Sequence, residues 1–248
     1  MTALQLLHGV GLDHRMWRRC RPQLDEQHEV TAPDLPGHGA SAAVPSGWSL
    51  REVAGAVSDA VTEPTHLVGF SLGALVAQRI ALDRPELVRS LTLVSSVADR
   101  SPEQSRAVAA RLHEAEHDFD AVVDRAVARW MADSWRTAEP ELAEELRTTL
   151  RRQHRPSYLH CYRIFAEADQ ELRPLLGGIT APTLAITGAH DPGSTPEMSE
   201  RLAARIPRAR ADVLPGVRHL VPLEAPQRLA EAILAHTQEV DRAEPAQA

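Results

Sequence analysis

Gly69-Phe70-Ser71-Leu72-Gly73 places a serine between two glycines, directly after the apolar run His66-Leu67-Val68 and directly before a helix-like stretch, Ala74 to Leu82. Strand, sharp turn and helix in that order push the serine hydroxyl out above a sheet, and glycine at both flanks lets the backbone close the turn. A serine hydroxyl is a poor nucleophile at neutral pH. It needs a base within hydrogen-bond reach, a carboxylate to orient that base, and donors for the oxyanion that its attack creates.

Each of those parts has a candidate further along the chain. After the apolar run ending Ile186-Thr187-Gly188 comes Ala189-His190-Asp191-Pro192, an acid in a loop leaving a strand. After the next such run comes Gly216-Val217-Arg218-His219-Leu220, a histidine in a loop before the final helix. Loops at the carboxyl ends of strands are where open α/β sheets build their sites, so Ser71, Asp191 and His219 are expected to converge. Asp99, close to the end of the preceding strand, is the rival for the acid. For the oxyanion, Leu72 offers the amide directly after the serine and His8-Gly9-Val10-Gly11 offers a second one, placed at Val10 with Gly11 and Leu12 as neighbouring choices. His8 and His38 read as stabilisers of their loops, and Asp34 to Ser41 as a structural glycine-rich turn.

The elements that must hold these residues follow from the pattern. Strands are expected at Leu4–Leu7, Glu29–Ala32, His66–Val68, Ser90–Val94, Thr183–Thr187 and Ala211–Leu214, alternating with amphipathic helices. That alternation is the pattern of a mostly parallel sheet covered on both faces. Ser49 and Glu52 frame a capping box for a helix from Leu50 to Val61, packed through Val53, Ala56, Val57 and Val61. From about Ser101 to Leu172 the strand rhythm stops and helical spacing takes over, punctuated by Pro140 and Pro156. The expected organisation is therefore a split core, 1–98 and 175–240, a helical cap insertion over 99–174, and a frayed tail over 241–248, with the polar stretch beginning near Glu239.

Composition removes several function classes. All 27 basic residues are arginine, which excludes a P-loop lysine and a lysine Schiff base. Asparagine is absent as well, so no Asn side chain can bind the oxyanion and no N-glycosylation acceptor exists. The net charge of -7 gives no electrostatic reason to expect nucleic acid or an anionic membrane as a partner. No apolar run approaches the roughly 20 residues of a membrane span, and no signal-peptide pattern opens the chain, so a cytoplasmic protein is expected. Cys20 and Cys161 lie in neither a C-x-x-C nor a zinc-ligand spacing and read as reduced, buried thiols. No metal-ligand cluster stands out, and neither metal nor organic cofactor is expected. Oligomeric state is left open.

Taken together the motifs resemble an α/β-hydrolase with a four-helix-type cap, over nearly the whole chain, and the chain order serine, acid, histidine is that of the fold. The segments Val127-Ala128-Arg129-Trp130-Met131, Ser157-Tyr158-Leu159-His160-Cys161 and the exit from Asp169 to Leu176 resemble 3-oxoadipate enol-lactonases. The start on the first His-Gly strand departs from the usual pattern, since the two strands that open the fold are missing. Serine in the turn disfavours haloalkane dehalogenase and epoxide hydrolase chemistry, which use aspartate there. The resemblance implies a serine hydrolase acting through an acyl-enzyme on a small-molecule carboxylic ester or lactone, with 3-oxoadipate enol-lactone as the implied substrate. Carbon-carbon bond hydrolysis or lyase chemistry with the same triad, or a non-catalytic ligand-binding role, are the alternatives. In the cap, Trp130 is expected to roof the pocket and Arg129 to meet a substrate carboxylate, against a reading in which Arg129 is solvated outside. Arg147, Arg151, Arg152 and Arg155 read as a surface charge run.

Overall fold

The computed structural model describes residues 1–243. Its elements in chain order are β1 (Thr2–Leu7), α1 (Arg21–Asp25), β2 (His28–Thr31), α2 (Leu50–Ser58), β3 (Thr65–Phe70), α3 (Leu72–Asp83) and β4 (Val88–Val94). Then come α4 (Pro102–His117), α5 (Phe119–Trp130), α6 (Asp133–Ala138), α7 (Pro140–Arg151) and α8 (Arg155–Leu172). The chain closes with β5 (Thr183–Gly188), α9 (Pro196–Arg205), β6 (Ala209–Leu214), α10 (Val221–Glu224) and α11 (Pro226–Ala243). Among the described residues the six strands form one sheet in the order β2-β1-β3-β4-β5-β6, with every pairing parallel.

The register explains why distant loops meet. Leu7 pairs with Gly69, Phe70 with Val94, Val94 with Ile186, and Gly188 with Leu214, so β1, β3, β4, β5 and β6 end along one edge of the sheet. The chain runs outward from β1 to β2 and then returns to the other side of β1 as β3. That reversal opens a crevice between β1 and β3, the place where such sheets hold ligands. All six residues of β3 are buried, as expected of a central strand covered on both faces.

Local chemistry accounts for most boundaries. Ser49 caps α2 through the Arg51 amide while Glu52 reaches back to the Ser49 amide at 2.7 Å. The helix stops at Ser58 rather than Val61, and its buried stripe is Leu50, Val53, Ala54 and Val57; Ala56 faces solvent. Pro140 and Pro156 begin α7 and α8, where the missing amide costs no helical hydrogen bond.

Two expectations need correction. The insertion between β4 and β5 holds five helices rather than four, because the short α6 fills the step between α5 and α7. The polar C-terminal stretch is not frayed from Glu239 or from residue 241: α11 continues to Ala243. Val240 is buried, and Asp241 accepts hydrogen bonds from Arg89 at 2.6 Å and Thr2 at 3.3 Å and faces His66 Nε2 at 3.2 Å. These anchors tie the last turn to the amino-terminal ends of the strands. Residues 244–248 lie outside the described residues. No helix among the described residues is long and apolar enough to cross a membrane.

Candidate active site

Ser71 sits between the end of β3 and the start of α3 with φ 53° and ψ -111°, a conformation non-glycine residues rarely adopt and one that costs on the order of 1–3 kcal/mol. The surroundings over-determine it. Ser71 donates its amide to Val94 O at 2.9 Å, and a Cβ on Gly73 would strike the Leu7 carbonyl of β1, while one on Gly69 would strike the Gly73 carbonyl. Strand and helix can therefore approach only because both flanking residues are glycine. The helix begins at Leu72, two residues earlier than the apolar pattern indicated, because the turn is completed within Ser71 itself.

Asp191 and His219 are brought together from loops after β5 and β6, 28 residues apart, with His219 Nδ1 2.7 Å from Asp191 Oδ2. An ionised carboxylate can only accept, so Nδ1 carries the proton and Nε2 is left as the acceptor. The other oxygen, Oδ1, accepts from the amides of Gly193 at 2.9 Å and Ser194 at 3.0 Å. Burial pushes the Asp191 carboxyl up, but His219 and the two amides outweigh it and hold its pKa below the usual carboxylate range. The acid therefore stays ionised although it is only 3 % exposed.

Both loops are pinned to one another. His190 donates to Val217 O and Ala189 to Leu214 O, each at 2.9 Å, and a Cβ on Gly188 would collide with the Arg218 carbonyl. Arg218 donates its amide to Glu224 at 2.8 Å and its guanidinium to Met131 O at 3.1 Å, which ties the histidine loop to the end of α5. Trp130, the last residue of α5, stacks on the His219 ring with centroids 6.2 Å apart and planes 25° apart, and Phe70 packs on the imidazole at 5.0 Å.

Asp99 goes elsewhere. It has a φ of 53° and forms ion pairs with Arg173 at 2.9 Å and Arg205 at 2.6 Å, away from His219.

The loop after β1 supplies the opposing wall. His8 receives the Leu35 amide on Nε2 at 2.8 Å and donates Nδ1–H to Gly9 O at 2.8 Å, so the buried ring is neutral and serves as a brace. His38 packs edge-on against it at 5.1 Å, and burial drives its pKa down to about 3. Of the amides considered for the oxyanion, Leu12 is already spent on Gly9 O at 3.2 Å. The Val10 and Leu72 amides have no acceptor among the described residues, and Val10 lines the cavity beside Ser71.

That cavity is walled on the sheet side by Val10, Leu12, Phe70, Ser71 and His219. Trp130 and Arg129 both line it, so Arg129 is half-buried rather than solvated outside, and burial lowers its pKa. Sequence reasoning missed Arg100, Arg111, Tyr162 and Phe165, which complete the wall from the insertion. Their only sequence signal was weak: arginine and aromatic residues at turns of helices that could face either way.

Arg147 and Arg151 are indeed on the surface, paired with Asp120, Asp124 and Glu144. Cys20 and Cys161 are free and buried apart, their thiols pushed up to about 12 by burial. Among the described residues two groups of side chains have ligand atoms close enough for a metal ion, His113-Glu116-His117 and Asp13-His14-Asp34, and none of these residues lines the cavity.

Residues 6–232 match the model of the alpha/beta hydrolase family, and the chain belongs to that family. Relatives with established names include the pimeloyl-[acyl-carrier protein] methyl ester esterase of Methylococcus capsulatus, 33% identical over 93% of this chain and 93% of the relative. Two more come from Acinetobacter baylyi. One is an (E)-2-((N-methylformamido)methylene)succinate hydrolase, 28% identical over 94% of this chain and 89% of the relative; the other is 3-oxoadipate enol-lactonase 2, 27% identical over 94% and 87%. All three are hydrolases, and their substrates differ.

Proposed function

We propose that this protein is a serine hydrolase that cleaves a small-molecule carboxylic ester or lactone through an acyl-enzyme. The observation that carries the reading is the 2.7 Å contact between His219 Nδ1 and Asp191 Oδ2, at the edge of a cavity that Ser71 enters in a strained backbone conformation.

In this reading His219 Nε2 accepts the Ser71 proton as Oγ attacks the carbonyl carbon, and Asp191 holds the tautomer and stabilises the imidazolium. Val10 and Leu72 amides receive the oxyanion, each such donor typically supplying about 3 kcal/mol in the transition state. The tetrahedral intermediate collapses with His219 returning the proton to the leaving oxygen. In a lactone that oxygen remains tethered to the acyl group. Water, deprotonated by the same imidazole, then releases the acid and restores Ser71.

The named relatives that cleave a methyl ester and an enol-lactone support the reaction class. Trp130 roofs the cavity and Arg129 offers a fixed charge to an acidic substrate, which makes 3-oxoadipate enol-lactone the first substrate to try. The test is labelling of Ser71 by a fluorophosphonate followed by a turnover panel containing a nitrophenyl ester, 3-oxoadipate enol-lactone and a vinylogous diketone. Labelling with ester or lactone turnover supports the proposal. Turnover of the diketone alone would replace it with carbon-carbon bond cleavage, and no labelling would remove the serine mechanism.

A further inference from the structure

The cavity carries more positive charge than a monoacid substrate can match. Arg100 enters it from the turn before α4, Arg111 from α4 and Arg129 from α5. Asp191 is the one carboxylate in the lining among the described residues, and its oxygens are already taken by His219, Gly193 and Ser194. Elsewhere the chain pairs its buried guanidinium groups: Arg79, for example, contacts both Asp83 and Glu171.

Arg100 is the sharpest case. It is 9 % exposed, its Nη1 donates to the carbonyls of Phe165 at 3.2 Å and Ala166 at 3.3 Å, and its guanidinium lies 4.5 Å from the centre of the Phe165 ring. Its Nη2 is buried with no acceptor among the described residues. Asp169 is a carboxylate whose charge favours the Arg100 cation, but its oxygens accept from the amides of Asp99 and Arg100, each at 2.8 Å, and it does not reach ion-pair distance of the guanidinium. Arg111 commits only Nε, to Tyr162 Oη at 3.1 Å. Arg129 makes no side-chain hydrogen bond or ion pair among the described residues.

A guanidinium withdrawn from water without a carboxylate partner is costly, as at Arg100, and the half-buried Arg111 and Arg129 on the same cavity add mutual repulsion. An anionic ligand relieves that cost, and planar forks match carboxylates in particular. We infer that Arg100, Arg111 and Arg129 form an anion subsite and that the substrate carries two free carboxylates besides the carbonyl that is attacked. This rests on the hydrolase reading above and names its substrate class. It also departs from the enol-lactone chosen above as the first trial, because a lactone of a dicarboxylic acid keeps one free carboxylate and the three arginines can receive a second.

Binding of unreactive acids tests this without turnover. Calorimetric titration of the full-length wild-type protein at pH 7.5, in a carboxylate-free buffer, would compare succinate, glutarate and adipate with their monomethyl and dimethyl esters after Ser71 has been alkylphosphonylated, so that none is hydrolysed. At least one diacid should bind about tenfold or more tightly than its monomethyl ester, the loss expected when a charge-assisted hydrogen-bonded group is removed. Arg100→Gln and Arg111→Gln should each lower the diacid affinity by a similar factor and erase the difference between diacid and monoester. Because Arg100 also holds two carbonyls, melting curves must show that its variant folds; if it does not, Arg111→Gln and the wild-type series decide the matter. Equal affinities for diacid and monoester, or no diacid binding at any length, would overturn the subsite. Failure of phosphonylation itself is a separate result: it refutes the serine mechanism, and the titration, run then on the unmodified protein, still decides the subsite.

Discussion

Ser95 Oγ donates a hydrogen bond to the main-chain carbonyl of His219 at 3.1 Å, across 124 residues of sequence. The hydroxyl stands just past the end of β4 in a residue with φ 47°, whose amide is held by Ile186 O at 2.8 Å. The end of β4 thus contributes a strut for the histidine loop, while the acid comes from β5. Ser95→Ala should leave the fold intact and reduce kcat by a few-fold up to about tenfold, the scale of one lost neutral hydrogen bond. An unchanged kcat would show that the two pinned backbones alone hold His219.

Ser71→Ala should abolish turnover while the protein melts within a few degrees of wild type. Removal of a triad member costs ~10⁴-fold or more in rate. Retention of more than about a tenth of the activity would place the chemistry elsewhere.

Asp191→Asn preserves shape but turns an acceptor into a group that can donate to Nδ1, which favours the wrong tautomer. The expected loss in kcat is on the order of 10⁴. Asp99→Asn should leave kcat near wild type and instead lower stability by about 1–2 kcal/mol, because it weakens ion pairs to Arg173 and Arg205. Steady-state kinetics and urea denaturation on both variants check this, and reversed outcomes would move the acid to the β4 side.

Gly73→Ala should be far more damaging than a single methyl suggests. Its Cβ would meet the Leu7 and His8 carbonyls, which belong to the central strand and cannot swing away. A loss of roughly 3 kcal/mol or more is expected, at the upper end of single-substitution effects. A urea midpoint unchanged from wild type would mean that β1 and α3 can separate.

Mild acid should destabilise the protein, with the loss beginning above the range in which carboxylates protonate. Burial drives His66 down to about 4 and His38 to about 3, and lowers His8 as well. A histidine whose folded-state pKa lies below its unfolded value of about 6.5 binds its proton only on unfolding, so stability falls as pH drops from about 6.5 toward 4 and is fully present above that window. For His66 alone the fall approaches roughly 3 kcal/mol across the window. Urea unfolding at pH 7.5 and 5 checks the sign; equal free energies would show that these rings take up protons while folded.

Much of this protein was legible in its residues one element at a time. Apolar runs marked the central strands, which are covered on both faces, while the edge strands β2 and β6 carry exposed polar residues and were placed by the alternation with helices; the two glycines around Ser71 announced a turn that only they permit. The acid and the histidine could be located because each lies in the loop leaving such a run. What the chain order could not decide was which of two acids meets the histidine. That depends on the register of β4 against β5 and on the salt bridges that draw Asp99 to Arg173 and Arg205.

The fate of the arginines was equally closed to sequence. Arg151 closes α7 and Arg100 lies in the turn before α4, yet nothing local separates their fates: one is neutralised at the surface and the other is buried with Nη2 unpartnered among the described residues. Helical periodicity tells which residues share a face, but which face meets the cavity is set by how α4, α5 and α8 pack over the sheet. The C-terminal helix teaches the same lesson from the other side: its last turn is polar in sequence, and it is held because tertiary packing brings His66, Arg89 and Thr2 to Asp241. Local pattern determines what an element is. Only the packed structure determines which charges are paired, and here the unpaired ones point to the substrate.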